Sequence, residues 1–211
     1  MTEKGKHPKA FTKEWFGYIW DYYKAHILVG ALVTVFAVVL VIEMANRIEN
    51  DAHINYIATN TIPLELADEL AHRCSLNSDD LNGNGRVDIA INQLNFTVEN
   101  RQNSEMHQAL LNKMMVLFNS NDELLFVVDS QMLPQATQNK YAADIFYKSK
   151  EWYKENSYDN EYAVPLNNSA IFEELGIDSS DLFVLVAKAD NEEGYTPEEN
   201  NAIKIAKFLL K

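Results

Sequence analysis

The sequence has a single cysteine, seven glycines and five prolines among its 211 residues. One cysteine excludes an internal disulfide, and it excludes the zinc or iron-sulfur cages that need several thiolates. Basic residues are also scarce, with 18 lysines and arginines against 31 acids and a net charge of −13. Because binding to a phosphate backbone requires clustered basic side chains, this composition argues against a nucleic acid partner.

The common catalytic and cofactor motifs are absent from the sequence as well. Gly83 and Gly85 lie close together, but no Lys-Ser or Lys-Thr follows them as in a phosphate-binding loop. No Gly-x-Ser-x-Gly turn occurs, and no two histidines have the helical spacing of a metal site. Acidic pairs such as Glu198 and Glu199 fall near predicted helix starts or loops, where solvation and helix capping explain them. The sequence therefore predicts a protein that is not an enzyme.

One long uncharged run stands out, from Ile27 to Ile42, with Thr34 as its single polar residue. As a helix the run covers about 24 Å, so flanking residues must complete a bilayer core of about 30 Å. We therefore predict a transmembrane helix over 26–45. Aromatic side chains of the kind that collect at membrane interfaces precede it; they are Trp15, Phe16, Tyr18, Trp20, Tyr22 and Tyr23.

The charges beside this run predict the orientation of the chain. Residues 1–25 carry five lysines and three acids, a net +2, which leaves −15 on the remainder because the total is −13. Positive flanks stay in the cytoplasm. We therefore expect a cytoplasmic aromatic and basic segment over 1–25, with an amphipathic helix on the inner leaflet, and an extracytoplasmic domain over 46–211. A cleaved signal peptide is the alternative, but Glu43 occupies a position where a small residue is expected.

The pattern after residue 46 is typical of an α/β domain. Strands and helices alternate at first, which favours a mainly parallel, mixed sheet flanked by helices. An aromatic-rich stretch over 141–154 is also predicted as helix. The predicted strands are His53–Thr59, Val87–Phe96, Leu124–Val128 and Asp181–Ala187, and the predicted helices are Pro63–Arg73, Glu105–Asn119 and Thr196–Lys211.

A candidate calcium loop begins at Asp80. Such a loop places side-chain oxygens at positions one, three, five and nine, a glycine at six, a backbone carbonyl at seven and a carboxylate at twelve. Position twelve is Ile91, so the sequence predicts at most weak calcium binding, and a simple turn is the alternative. The residues at positions one, three, five, seven and nine are Asp80, Asn82, Asn84, Arg86 and Asp88.

Polar residues also follow two predicted strands. In an open α/β sheet, ligands bind at the carboxyl ends of the strands. These residues suit a small polar solute, although loop ends are polar in most proteins. The candidate ligand-binding residues are Thr59, Asn60 and Thr61 after the first strand, and Asp129 and Ser130 after the third.

From residue 52 onward the chain resembles one lobe of an extracytoplasmic solute-binding protein, the receptor component of bacterial importers. The resemblance lies in the strand HINYIAT, the strand end LLFVVD and the segment YAVPLNNSAIFEELGID over 162–178. The membrane entry DYYKAH is similar to that of small single-span proteins of Gram-positive anaerobes. The resemblance implies solute binding, but such receptors close two lobes around a solute, and this chain has the length of one.

The sequence thus predicts a single-pass protein of the plasma membrane whose outer domain binds another membrane protein or a small polar solute. A structural scaffold or subunit of a membrane complex is one alternative. An anchored hydrolase that uses scattered carboxylates is the other. Apart from the candidate calcium ion, no cofactor is expected.

Overall fold

The computed structural model describes residues 11–45, 50–138, 141–153, 159–189 and 194–211. The chain divides into two compact units, residues 1–48 and 49–211. The second unit is called the α/β domain below. The helices and strands, in chain order, are α1 (Lys13–Ala45), β1 (Ala52–Ala58), α2 (Leu64–Ser75), β2 (Ile89–Asn95), α3 (Val98–Gln102), α4 (Ser104–Phe118), β3 (Leu125–Asp129), α5 (Leu133–Thr137), α6 (Ala142–Ile145), α7 (Ser149–Trp152), β4 (Val164–Pro165), α8 (Ala170–Glu174), β5 (Leu182–Val186) and α9 (Pro197–Leu209).

The first unit contains one continuous helix. α1 runs for 33 residues without a break, so the segment expected to form a separate amphipathic helix and the predicted span over 26–45 are parts of one helix. A stretch of 29 residues, Trp15–Glu43, is apolar and long enough to cross a membrane, and its most apolar window has no buried residue. Continuity follows from the residues between Lys13 and Ala45, which include no proline and only two glycines.

The α/β domain contains a five-stranded mixed sheet with the strand order β2-β1-β3-β5-β4. β1 pairs in parallel with β2 and β3. β5 pairs antiparallel with β3 and β4. The prediction of an α/β domain with a mixed sheet is confirmed. The three parallel strands have the order β2-β1-β3. After β1 the chain forms β2 on one side of it and later forms β3 on its other side.

The core lies along the central strands. Every residue of β3 and β5 is buried, as expected for continuous apolar runs covered on both faces. Three rings, Phe118 of α4, Phe126 of β3 and Phe146, contact one another edge to face, with centroids 5.0 to 5.8 Å apart. These contacts join α4 to the sheet.

The predicted strands and helices of the domain are found with their ends shifted by one or two residues, except over 141–154. The prediction of a single helix there is wrong: α6 and α7 are short and separate, and residue 154 lies outside the described residues. Between them Phe146 is extended, fully buried, and forms an isolated antiparallel bridge with Ala187. Burial of this ring against Phe118 and Phe126 and the backbone bridge beside the end of β5 therefore override the local helical pattern.

Candidate functional site

The order of the parallel strands defines where a ligand site is expected. β1 lies between β2 and β3, so the loops that follow β1 and β3 diverge at a topological switch point. All five predicted ligand-binding residues lie at these two strand ends. Thr59 and Asp129 lie in hydrogen-bond contact, whereas Asn60, Thr61 and Ser130 are exposed around them.

The Asp129 carboxylate ties the two strand ends together. Its Oδ2 accepts hydrogen bonds from the backbone N–H and the hydroxyl of Thr59, both at 2.7 Å. Its Oδ1 accepts the backbone N–H of Met132 at 2.8 Å. Asp129 is only 3% exposed. Both oxygens are therefore engaged within the protein, and the geometry gives this carboxylate a structural role. Ligand binding by Asn60, Thr61 and Ser130 stays a prediction.

Two further polar groups border the switch point. Tyr56 of β1 is buried, and that burial, together with the charges of Asp129 and Asp178, raises its pKa to about 12. At the surface, the Arg101 guanidinium donates to the side-chain oxygen of Gln131 at 2.8 Å. The tyrosine thus stays neutral at any physiological pH, and the arginine supplies a positive charge beside the exposed polar residues.

The candidate calcium loop folds around its own side chains. Asp80 accepts the backbone N–H groups of Gly83 at 2.6 Å and Gly85 at 2.8 Å. Asn82 accepts from the backbone of Asn84, and Asn84 accepts from that of Arg86. Both glycines have positive φ angles, 71° and 83°, which other residues rarely adopt. This sequence of turns explains the spacing of Asp, Asn and Gly without an ion.

A residue outside the predicted loop fastens it to the domain. Asp51, 7% exposed, accepts backbone N–H groups from Leu81, Asn82 and Asp88 at 2.8 to 3.1 Å. The Arg86 guanidinium, meanwhile, lies 3.2 Å from the carboxylate of Asp88. A cation in the loop must therefore compete with hydrogen bonds that already satisfy several of the oxygens.

Within the described residues, no group of three or more histidine, cysteine, aspartate or glutamate side chains is arranged to hold a metal ion. The calcium prediction, which depends on amide and backbone oxygens as well, is not tested by that observation and stays a prediction.

A polar network that the sequence did not reveal lies beside the other end of β1. His53 Nδ1 and Glu123 Oε1 are 2.9 Å apart, and the amide of Asn55 donates to Glu123 Oε2 at 2.6 Å. Asn92 of β2 donates to Asn55, which is fully buried. The network joins β1 and β2 to Glu123, which lies two residues before the start of β3. Its members are far apart in sequence, so no local motif indicated it.

The electrostatics of this network favour a charged pair. The hydrogen bond that His53 donates to Glu123, assisted by the negative charges of Glu123 and Asp122, raises the pKa of His53 although burial opposes the shift. Burial raises the pKa of Glu123. Hydrogen bonds from His53 and Asn55, together with the charge of Lys113, lower this pKa by a larger amount, so the net shift is downward. The arrangement stabilises an imidazolium next to a carboxylate and fixes the start of β3 against β1.

Glu199 is a further buried carboxylate, and the sequence predicted that it is solvated or caps a helix. Glu199 caps α9, since it accepts the backbone N–H of Thr196 at 2.8 Å, but it is fully buried. Its other oxygen accepts from the Tyr147 hydroxyl and from the backbone of Ala189. The expectation of solvation is therefore wrong at this residue, because three donors from separate segments surround it.

Comparison with known proteins found no matching family model, no matching curated protein and no matching solved structure.

Proposed function

We propose that this chain is a single-pass plasma membrane protein whose α/β domain lies outside the cytoplasm and acts by binding, as an accessory protein or a sensor. The observation that carries the proposal is α1, an apolar helix without a buried residue in its most apolar window. The core helix of a soluble protein would be covered by its own domain. An uncovered helix of this length instead matches the bilayer as its surroundings.

The distribution of charge supports the orientation. The segment before the apolar run carries a net +2 and the remainder carries −15. Lysines next to a span are retained in the cytoplasm, whereas acidic residues contribute little to topology. An acidic domain outside and a basic segment inside satisfy this rule.

The α/β domain supports a binding role through its switch point. Asp129 joins the loops after β1 and β3, which leaves Asn60, Thr61 and Ser130 exposed on a fixed backbone. These side chains donate and accept hydrogen bonds without a net charge, which suits a small polar solute or a polar protein surface. The resemblance to one lobe of a solute-binding protein points in the same direction.

Labelling of introduced cysteines tests the anchor and its orientation. Cys74 is fully buried, so a cysteine placed at Asn60 or Thr2 is the reactive thiol of the folded chain. We expect a membrane-impermeant maleimide to label Asn60→Cys in intact cells and to label Thr2→Cys only after permeabilisation. Labelling in the reverse order would contradict the orientation. A chain whose measured mass lacks the first 45 residues would contradict the anchor.

Thermal unfolding of the full chain in detergent, with a panel of sugars, amino acids and peptides, tests solute binding. A solute present at a hundred times its dissociation constant stabilises the folded state by about 2.7 kcal/mol. Substitution of Ser130 by alanine should reduce the resulting shift, and Glu65→Ala, on the exposed start of α2, serves as the control. Wild-type melting that is unchanged by every solute would contradict solute binding and leave a membrane-protein partner as the proposed ligand.

A further inference from the structure

The sequence contains two Asn-Gly pairs, and both lie in the candidate calcium loop. They are Asn82-Gly83 and Asn84-Gly85, and all four residues are exposed. Asparagine is a thermolabile residue. It deamidates most readily before glycine, because glycine has no side chain to hinder a close approach of its backbone nitrogen. By sequence, these two asparagines are therefore the residues most prone to deamidation.

Deamidation consumes only water. The backbone nitrogen of the following glycine gives up its proton as it attacks Cγ of the asparagine side chain. A five-membered succinimide ring forms, and the side-chain nitrogen leaves as ammonia. Water then opens the ring to aspartate or isoaspartate, so that one amide becomes one carboxylate. In an exposed loop water is at hand, and the freedom of the glycine nitrogen to attack sets the rate.

One carboxylate binds both of these glycine nitrogens. Asp80 Oδ1 accepts the N–H of Gly83 at 2.6 Å, and Asp80 Oδ2 accepts the N–H of Gly85 at 2.8 Å. A hydrogen bond to a carboxylate stabilises the N–H form of the donor, and the adjacent negative charge opposes the development of negative charge on nitrogen. Each glycine nitrogen is therefore held in the form that does not attack.

The asparagine side chains are held as well. Oδ1 of Asn82 accepts the backbone N–H of Asn84 at 2.9 Å, and Oδ1 of Asn84 accepts that of Arg86 at 2.8 Å. Each side-chain carbonyl is thus bound to the residue two positions ahead. A side chain fixed in this way has less freedom to place its Cγ atom on the glycine nitrogen.

The surroundings of the loop make the product unfavourable. Three carboxylates already belong to the loop and to the contact that fastens it, those of Asp51, Asp80 and Asp88. Asp51 accepts the backbone N–H of Asn82 at 3.1 Å and that of Asp88 at 2.8 Å. A new carboxylate at position 82 or 84 adds a like charge to this group, which destabilises the folded loop. The loop is therefore more stable with both asparagines intact.

We propose that Asn82 and Asn84 are the deamidation sites of this chain, and that Asp80 slows their conversion in the folded state. Asp80 is a positioning residue, because it holds the attacking nitrogens and takes no part in the reaction. Loss of one hydrogen bond to a charged group corresponds to a factor of about ten or more. We therefore expect each site to convert at least about tenfold more slowly in the folded chain than in an unfolded peptide.

Peptide mapping by mass spectrometry, after incubation of the full chain in detergent at mildly alkaline pH, measures the conversion at each residue. A synthetic peptide of residues 78–90 gives the unfolded rate. Asp80→Ala should bring both sites close to that rate. Arg86→Ala is the matched control, because it removes an exposed side chain of the same loop that lies against Asp88 and contacts neither glycine; it should keep the wild-type rate.

Asp80→Asn separates the loss of particular hydrogen bonds from a general loosening of the loop. Asparagine keeps one acceptor oxygen and turns an NH₂ group toward the other glycine. One of the two sites should therefore convert faster than the other, whereas a loosened loop would release both equally.

Three results would overturn the proposal. They are conversion of the native wild type at the peptide rate, conversion of a folded Asp80→Ala as slowly as the wild type, and equal conversion of both sites in Asp80→Asn. If Asp80→Ala does not fold, as judged by its melting, Asp80→Asn and the ratio of the peptide rate to the wild-type rate decide.

Discussion

Replacement of Asp129 by asparagine separates a structural carboxylate from a ligand-binding one. In the wild type the two oxygens of Asp129 accept two hydrogen bonds from Thr59 and one from Met132. Asparagine keeps one oxygen and turns an NH₂ group toward at least one of these donors. The variant therefore loses the negative charge that strengthens the bonds and leaves a buried donor without an acceptor.

The size of the effect follows from the number of bonds and their burial. Hydrogen bonds to a charged group contribute about 1.5 to 3 kcal/mol each, and a buried donor without a partner costs about 1 to 3 kcal/mol. With one bond lost and the others weakened, we expect a loss of about 2 to 4 kcal/mol in the free energy of unfolding. For a domain of this size, the melting temperature should fall by about 5 to 15 °C.

Calorimetry or circular dichroism of the full chain in detergent measures the change, with Ser130→Ala as the exposed neighbouring control. A residue kept for ligand binding behaves differently, because its replacement often leaves stability unchanged or raises it. An Asp129→Asn variant that melts at or above the wild-type temperature would refute the structural role.

Three further predictions follow from the described geometry. A calcium site in the 80–88 loop predicts that millimolar calcium raises the melting temperature of the wild type but not of Asp80→Ala; equal melting in calcium and in chelator would contradict it. The raised pKa of His53 means that its stabilising effect is complete below its ordinary value of 6.5 and is lost as the pH rises through the folded-state pKa. The lowered pKa of Glu123 means that its effect is complete above 4.5 and is lost as the pH falls through its folded-state pKa. Urea unfolding should therefore show the largest penalty for His53→Gln between about pH 4.5 and 6.5, and a penalty independent of pH would count against the charged pair. Burial raises the pKa of Cys74 to about 12, so this thiol should react with a maleimide only after unfolding; rapid reaction of the native chain would disprove its burial.

The sequence predicted β1, β2, β3 and β5 and the three longest helices of the domain, α2, α4 and α9, because their signals are local, whereas the short elements α3, α5, β4 and α8 were not predicted. Alternation of apolar and polar residues placed β1 and β2, and the continuous apolar runs placed β3 and β5. The stretch over 141–154 was mispredicted because its structure depends on Phe146, whose ring packs against Phe118 and Phe126. Those two partners lie at least 20 residues earlier in the chain, beyond the reach of a helical pattern.

The site shows the same division. Polar residues after β1 and β3 were identified from the rule for open sheets, and Thr59 and Asp129 do lie together. What the rule could not show is that the Asp129 carboxylate binds Thr59 instead of facing solvent. The Asp80 loop was identified from its spacing, whereas Asp51, which fastens it, has no motif of its own.

By itself, the sequence determined the apolar helix, the acidic α/β domain that follows and most of the positions of its strands. These depend on composition and on periodicities within a few residues. The tertiary structure alone decided that β5 runs antiparallel to β3, that β2 forms one edge of the sheet, and that His53 contacts Glu123. Each of these depends on contacts between residues tens of positions apart, and such contacts exist only once the chain has folded.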